Sequence, residues 1–336
     1  MKAIGYYRAL PIDNPESLQD IELPAPVAGP RDLLVRVKAI SVNPVDTKVR
    51  KNMAPEAGQA KVLGWDAAGT VEAVGAGVKN FKVGDRIYYA GSIVRPGANS
   101  ELHTVDERIA ALAPRSLDDA QAAALPLTTI TAYELLFDRL RVPKNGGAGQ
   151  TLLVTGGAGG VGSILIQLAR QLTQLRVVAT ASRAETRAWC LALGAHAVID
   201  HSKPLAAELK GAGIGEVDMV ASLTQTGQHY AQIIESLKPQ GQLAVIDDLP
   251  SLDAMPLKTK CISLHWEMMF ARSRFETPDI AEQGALLAEV AALVDAGRIR
   301  TTANASFGTI NAANLRKAHA LIESGTAQGK VVLAGF

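Results

Sequence analysis

Residues 151–162, "TLLVTGGAGGVG", constrain the fold of this chain more than any other stretch. A short apolar run of the buried-strand type ends in a cluster of glycines, and "VGSILIQLARQLT" continues from it with helical spacing. The alternation then repeats. "RVVAT", "AETRAWCLALG", "AVID", "PLAAELKG", "VDMVASL", "GQHYAQIIESLKP" and "QLAVID" read in turn as strand and helix. "CISLHW" at 261–266 offers a sixth strand, and Gly194 and Gly211 fall where helix C-caps belong. Strands alternating with helices of this length predict right-handed βαβ units and a doubly wound parallel sheet.

Within that frame Gly157, Gly159 and Gly162 satisfy G-x-G-x-x-G, with Ala158, Gly160 and Val161 between them. The first glycine permits a tight turn, the second lets backbone approach a pyrophosphate, and the third lets the helix pack close to the sheet. The helix N-terminus then faces the anion. The end of the second strand selects the dinucleotide. NAD sites place a carboxylate there for the ribose 2′-hydroxyl, whereas this chain reads Ala181, Ser182, Arg183. Ser182 can donate a hydrogen bond to a 2′-phosphate and Arg183 can neutralise it. Arg187 lies four residues on, on the same face of a helix starting near 184. NADPH is the expected cofactor.

Residues 1 to about 125 have a different character. "DLLVRVKAISV" (32–42), "AGTVEAVG" (68–75) and "GDRIYYAG" (84–91) are β-branched or alternating and are bounded by breakers such as "PAPVAGP". Helical periodicity is weak, and "TKVRKN" at 47–52 reads as a solvated surface segment. After the α/β region, 279–297 forms an amphipathic helix ended by Gly297, then a second helix and the short strand "KVVLAGF". This tail can return to the first domain, which makes the α/β unit an insertion.

Length and composition agree. A chain of 336 residues favours two domains, and 48% hydrophobic with 20% charged residues suits a large buried core. A net charge of +1 gives no electrostatic case for nucleic acid or an anionic membrane. Two cysteines exclude a disulfide scaffold. The first residues lack the apolar core of a signal peptide, and no apolar run reaches membrane-spanning length. A cytoplasmic protein acting on a small molecule is expected.

Several stretches together resemble a known family. "AGGVG" after a strand, "VGDRIYY" (83–89) and "LGWDAAGTVEAVG" (63–75) are similar to the medium-chain dehydrogenase/reductases. "ALPLTTITAYELLFDRL" (124–140) and "SLHWEMMFARSRFETPD" (263–279) resemble the zinc-type alcohol dehydrogenase-like branch, near the quinone oxidoreductases. The resemblance covers nearly the whole chain. It implies a GroES-like β domain over 1–127 and 269–336, flanking a Rossmann domain over 128–268. It also implies a homodimer or homotetramer, and NAD(P)H-linked hydride transfer between the domains.

The same resemblance argues against a metal. Asn43 stands where the zinc enzymes have a cysteine, and Trp65 and Asp66 where they have a histidine–glutamate pair. The four-cysteine lobe has no counterpart between Gly84 and Leu102. Cys261 and His265 have a ligand-like spacing but no evident third donor. Without a Lewis acid, the chemistry favours acceptors whose charge delocalises after hydride addition: quinones and α,β-unsaturated carbonyls. Asn43 and Asp46 match the "N-x-x-D" of quinone reductases and are implied to line the substrate or nicotinamide site; Asp46 is equally a capping residue after Pro44. Thr128 and Thr131 resemble residues beside the nicotinamide half of the cofactor, and Thr128 or Thr129 also reads as a helix N-cap. His201 occupies an adenosine-ribose position, where a contact to the 2′-phosphate and an ordinary loop histidine remain equal readings. Trp266, Met268, Met269 and Phe270 can wall a substrate or pack a core. The alternatives are a zinc-dependent alcohol dehydrogenase and a low-activity NADPH-binding protein of the sensor or crystallin-like kind.

Overall fold

A computed structural model describes all residues 1–336. The first part of the chain carries strands β1 (Lys2–Tyr6), β2 (Gln19–Glu22), β3 (Asp32–Val42), β4 (Lys61–Val62), β5 (Ala67–Val74), β6 (Arg86–Tyr89), β7 (Leu102–Asp106) and β8 (Ala110–Leu112). Its helices are α1 (Pro44–Asn52), α2 (Asp119–Ala123) and α3 (Pro126–Glu134), the last continued by a π-helical turn over Leu135–Arg139. The middle alternates β9 (Thr151–Val154), α4 (Gly160–Leu172), β10 (Arg176–Thr180), α5 (Ala184–Ala192), β11 (Ala197–Ile199), α6 (Leu205–Gly211), β12 (Val217–Ser222), α7 (Thr226–Ser236), β13 (Leu237–Val245), α8 (Met255–Lys258) and β14 (Ser263–Trp266). The last part holds α9 (Ala271–Phe275), α10 (Glu282–Asp295), β15 (Ala303–Ser306), α11 (Ala312–Glu323) and β16 (Lys330–Ala334). No helix is long and apolar enough to cross a membrane.

The chain divides into two compact units, one of Met1–Ile130 with Phe270–Phe336 and one of Thr131–Met269. The second unit is a six-stranded, wholly parallel sheet in the order β11-β10-β9-β12-β13-β14, the doubly wound order expected for dinucleotide binding. Its strands are buried on both faces, which is why they read as continuous apolar runs. Leu153, Val178, Val220 and Leu243 from four neighbouring strands meet Leu205, Leu209 and Ile233 of the covering helices in one core. Gly194, at φ 105°, ends α5 as expected. At the end of α6 the left-handed residue is Gly213 (φ 68°), and Gly211 is still helical.

The first unit contains a seven-stranded sheet, ordered β15-β16-β3-β5-β6-β8 with β7 also paired to β3, and a three-stranded sheet ordered β2-β1-β4. The C-terminal strand β16 is thus inserted between β15 and β3, so the tail completes the sheet begun by the N-terminus. Helix α1 lies where the sequence pattern suggests none. Residues 47–52 are helical rather than a solvated segment, because Pro44 opens the helix and the Asp46 carboxylate accepts the Asn43 N–H at 2.7 Å. Arg50 is fully buried: it donates to the Leu10 carbonyl at 2.7 Å and pairs with Glu323 of α11.

Candidate functional site

The glycine loop is built from unequal glycines. The tight turn belongs to Gly156 (φ 66°), one residue before the expected position. A Cβ on Gly157 would lie 2.7 Å from the Ala179 Cβ, so this glycine allows close packing against β10. On Gly162 it would lie 2.5 Å from the Gly156 carbonyl oxygen, which fixes how tightly α4 enters the loop. A Cβ on Gly159 meets only the Gly156 oxygen, at 3.4 Å, and otherwise open space. Gly159 is also the N-cap of α4, with no side-chain cap. Protein packing demands a glycine at 157 and 162 but not at 159, where an approaching ligand would. Ala158 is buried, and Gly160 and Val161 are partly exposed in the first turn.

The end of β10 is tied to this loop. Thr180 accepts the Gly157 N–H on its carbonyl at 3.2 Å and the Gly156 N–H on its hydroxyl at 3.1 Å. Ser182 and Arg183 follow, both exposed, and Arg183 Nε donates to Glu185 at 2.6 Å. Water and salt screen such an exposed pair, so the guanidinium can exchange its partner for an incoming anion. Arg187 is engaged differently. Its guanidinium turns inward and donates to the carbonyls of Ala181 (3.2 Å) and Val198 (2.8 Å), pinning the ends of β10 and β11. Helical spacing puts Arg183 and Arg187 on one face but cannot show those two carbonyls. His201 follows β11 and meets His229 of α7 edge-on, ring centroids 6.1 Å apart, with the Nδ1 of each ring buried and without a hydrogen-bond partner.

In the first unit, Asn43 and Asp46 are buried and bonded to protein. Asp46 accepts N–H groups from Asn43 (2.7 Å) and Gly64 (3.0 Å), and burial pushes its pKa up to about 7. The capping reading of Asp46 describes its contacts. Asn43 Nδ2 donates to Asp66 at 2.7 Å, and Asn43 Oδ1 accepts from Lys330 Nζ at 2.5 Å. Lys330 also donates to the Val42 carbonyl and pairs with Asp66, each at 3.0 Å. The second Asp66 oxygen accepts the Leu127 N–H at 2.7 Å. Burial raises the Asp66 pKa, and the Lys330 ammonium opposes that rise. Lys330 and its partners were not foreseen, since one lysine opening an apolar strand carries no pattern of its own. Trp65 is core: it donates to the Ser92 carbonyl at 3.1 Å and stacks edge-on with Phe270.

Helix α3 starts at Pro126, so Thr128 and Thr129 lie inside it rather than at its N-cap. Thr128 is buried and returns its hydroxyl to the Leu125 carbonyl at 3.2 Å; Thr131, one turn on, is also buried. In the second unit Glu134 and Glu267 form a buried carboxyl pair beside Arg139, whose Nε donates to Glu267 at 2.7 Å. Burial first, and then the neighbouring Glu134 charge, drive the Glu267 pKa well above the carboxylate range, so the pair holds a proton at neutral pH. Single acids inside "TAYELLF" and "HWEMMF" were the signal for this pair. Met269 and Phe270 are buried, whereas Trp266 and Met268 are about half exposed.

Two family models match the chain: an alcohol dehydrogenase GroES-like domain over residues 29–114 and a zinc-binding dehydrogenase over residues 193–333. A zinc-type alcohol dehydrogenase-like protein of Staphylococcus aureus is 38% identical over 336 residues, 99% of each chain. A crystal structure from Rhizobium etli CFN 42, described as a candidate zinc-dependent alcohol dehydrogenase, superposes with a TM-score of 0.96 at 56% identity, covering 100% of this chain and 98% of that one. The Escherichia coli quinone oxidoreductase complexed with NADPH gives a TM-score of 0.84 at 26% identity, covering 99% and 100%.

Proposed function

The chain belongs to the medium-chain dehydrogenase/reductase superfamily of oxidoreductases, and from that premise we propose that it is a zinc-independent, NADPH-dependent reductase of quinones or α,β-unsaturated carbonyls. The observation that carries the reading is the buried Lys330–Asn43–Asp66 cluster. Zinc needs three converging nitrogen, sulfur or carboxylate donors. At the positions matching the zinc enzymes' ligands this chain offers an amide, an indole in the core and one carboxylate. That carboxylate is already held by Lys330, Asn43 and the Leu127 N–H. No group of three histidine, cysteine or acidic side chains elsewhere could hold a metal. The donor set does not fit zinc.

The nicotinamide supplies the hydride, so the protein's tasks are binding, orientation and exclusion of water. The first turn of α4 and the open face of Gly159 would take the pyrophosphate. Ser182 and Arg183 would take the 2′-phosphate, and His201 is a further candidate donor to it. Similarity to the quinone oxidoreductase solved with NADPH supports the same assignment. The reading also expects a homodimer or homotetramer. Strand β14, the outer strand of the six-stranded sheet with Trp266 exposed, is a surface suited to a second copy.

Initial rates of NADPH oxidation with a simple quinone and a conjugated enal, repeated with NADH and with a chelator, test the proposal. Chelator-resistant turnover that prefers NADPH is the expected result. Loss of activity on chelation, restored by zinc, would overturn it, and NADPH binding without turnover would leave a binding protein.

A further inference from the structure

We propose that Lys330 is a positioning residue, a fixed internal cation in the place of a catalytic metal that acts through Asp66 to hold the first turn of α3 and with it Thr128. The inference rests on the reductase reading for its functional consequence, but its structural half stands alone.

The ammonium group has three N–H donors and three close acceptors, the Val42 carbonyl, Asn43 Oδ1 and Asp66 Oδ2. None is left for a substrate, so Lys330 is not placed to polarise a carbonyl itself. Its effect runs through Asp66, which has a charged donor on one oxygen and the Leu127 N–H on the other. That N–H is one of the unsatisfied donors of the first turn of α3, a nine-residue helix preceded by Leu125, which has no side-chain acceptor. Asp66 therefore caps α3 from another part of the chain, and its charge faces the positive end of the helix dipole. Lys330 opposes the rise in pKa that complete burial imposes on this carboxylate, and the ion pair holds it in place. In the zinc enzymes the same two sequence positions contribute to holding a metal. Here Asn43 and Asp66 hold a lysine delivered by the last strand.

The test uses Lys330→Met and the charge-neutral double variant Lys330→Met/Asp66→Asn in the full chain. The double variant keeps an oxygen for the Leu127 N–H and removes both members of the buried Lys330–Asp66 ion pair. Three readouts are taken: amide exchange of the peptide covering 124–134, the Kd for NADPH, and kcat and KM with a quinone. In Lys330→Met, exchange over 124–134 should rise about tenfold and kcat should fall about tenfold or more, with the NADPH Kd held within about threefold. The double variant should regain both the protection and most of kcat. A folded Lys330→Met with unchanged kcat would reduce the lysine to a structural role and overturn the proposal. So would a double variant that regains protection but not kcat, because the cation would then act on the reaction directly. If Lys330→Met does not fold, the double variant decides by the same two criteria. If the unsubstituted protein reduces no quinone, the reductase reading fails separately, and exchange with NADPH binding still judges the coupling.

Discussion

Replacing His319 by leucine should flatten the acid limb of this protein's stability. His319 lies on α11 with no solvent exposure, and neither ring nitrogen has a hydrogen-bond partner. Burial, and secondarily the Arg50 guanidinium, push its pKa from 6.5 down to about 3. The folded value is below the unfolded one, so the neutral ring's contribution is complete above the unfolded value and is lost as pH falls towards the folded one. Between pH 7 and pH 5 the unfolded chain takes up most of a proton that the folded ring refuses. This weakens the fold by about 2 kcal/mol, roughly 25-fold in the folded-to-unfolded ratio. Leucine has a similar volume and does not titrate. Urea unfolding followed by tryptophan fluorescence at the two pH values should show the variant losing about 2 kcal/mol less than the parent. His103, pushed down to about 4 by burial, is common to both chains and cancels in the difference. Equal losses would refute the reasoning, since the ring would then accept a proton in the folded state.

The glycine loop separates binding from folding. Gly159→Ala should keep the parent's thermal midpoint yet lose NADPH binding in a fluorescence titration, whereas Gly162→Ala, with its Cβ 2.5 Å from a carbonyl oxygen, should lower the midpoint itself. Glu267→Gln removes a carboxyl whose folded pKa lies above its unfolded 4.5, so the parent loses stability as pH rises beyond that value. The variant should lose less between pH 6 and pH 8.5, and parallel slopes would count against the shared proton. Arg50→Ala empties a buried guanidinium site bonded to Leu10 and Glu323, and should cost about 3 kcal/mol or more in thermal or urea unfolding. A loss under about 1 kcal/mol would mean that α1 and α11 repack without it.

The parallel sheet was legible because periodicity and turn chemistry are local. β3 could be read at 32–42 to the residue, and the six parallel strands from short apolar runs between helices. The glycine loop was legible for the same reason. Lys330 was not, because what makes it notable is Asn43, 287 residues away in sequence. The contacts of Arg187 were hidden for a related reason. Its position on α5 was foreseen, but its partners are carbonyls at the ends of two strands, and side-chain spacing says nothing about them. Helix α1 was missed because its apolar residues are few, and its start depends on the backbone-to-carboxylate bond between Asn43 and Asp46. Charged side chains within it, Arg50 above all, serve as core through distant partners.

The place of β16 between β15 and β3 also bears on how the protein is made. All six strands of the parallel sheet lie between Thr151 and Trp266, so that unit can close while later residues are still being synthesised. The N-terminal residues have emerged by then, but the Ala39–Val42 stretch of β3, beyond the part that β7 covers, stays unpaired on that edge until Lys330–Ala334 arrive. An open, largely apolar edge is a site for unwanted pairing between nascent chains. Truncations at the C-terminus should therefore damage the N-terminal sheet first and promote aggregation while the nucleotide-binding unit still forms. The segment translated first is the one completed last.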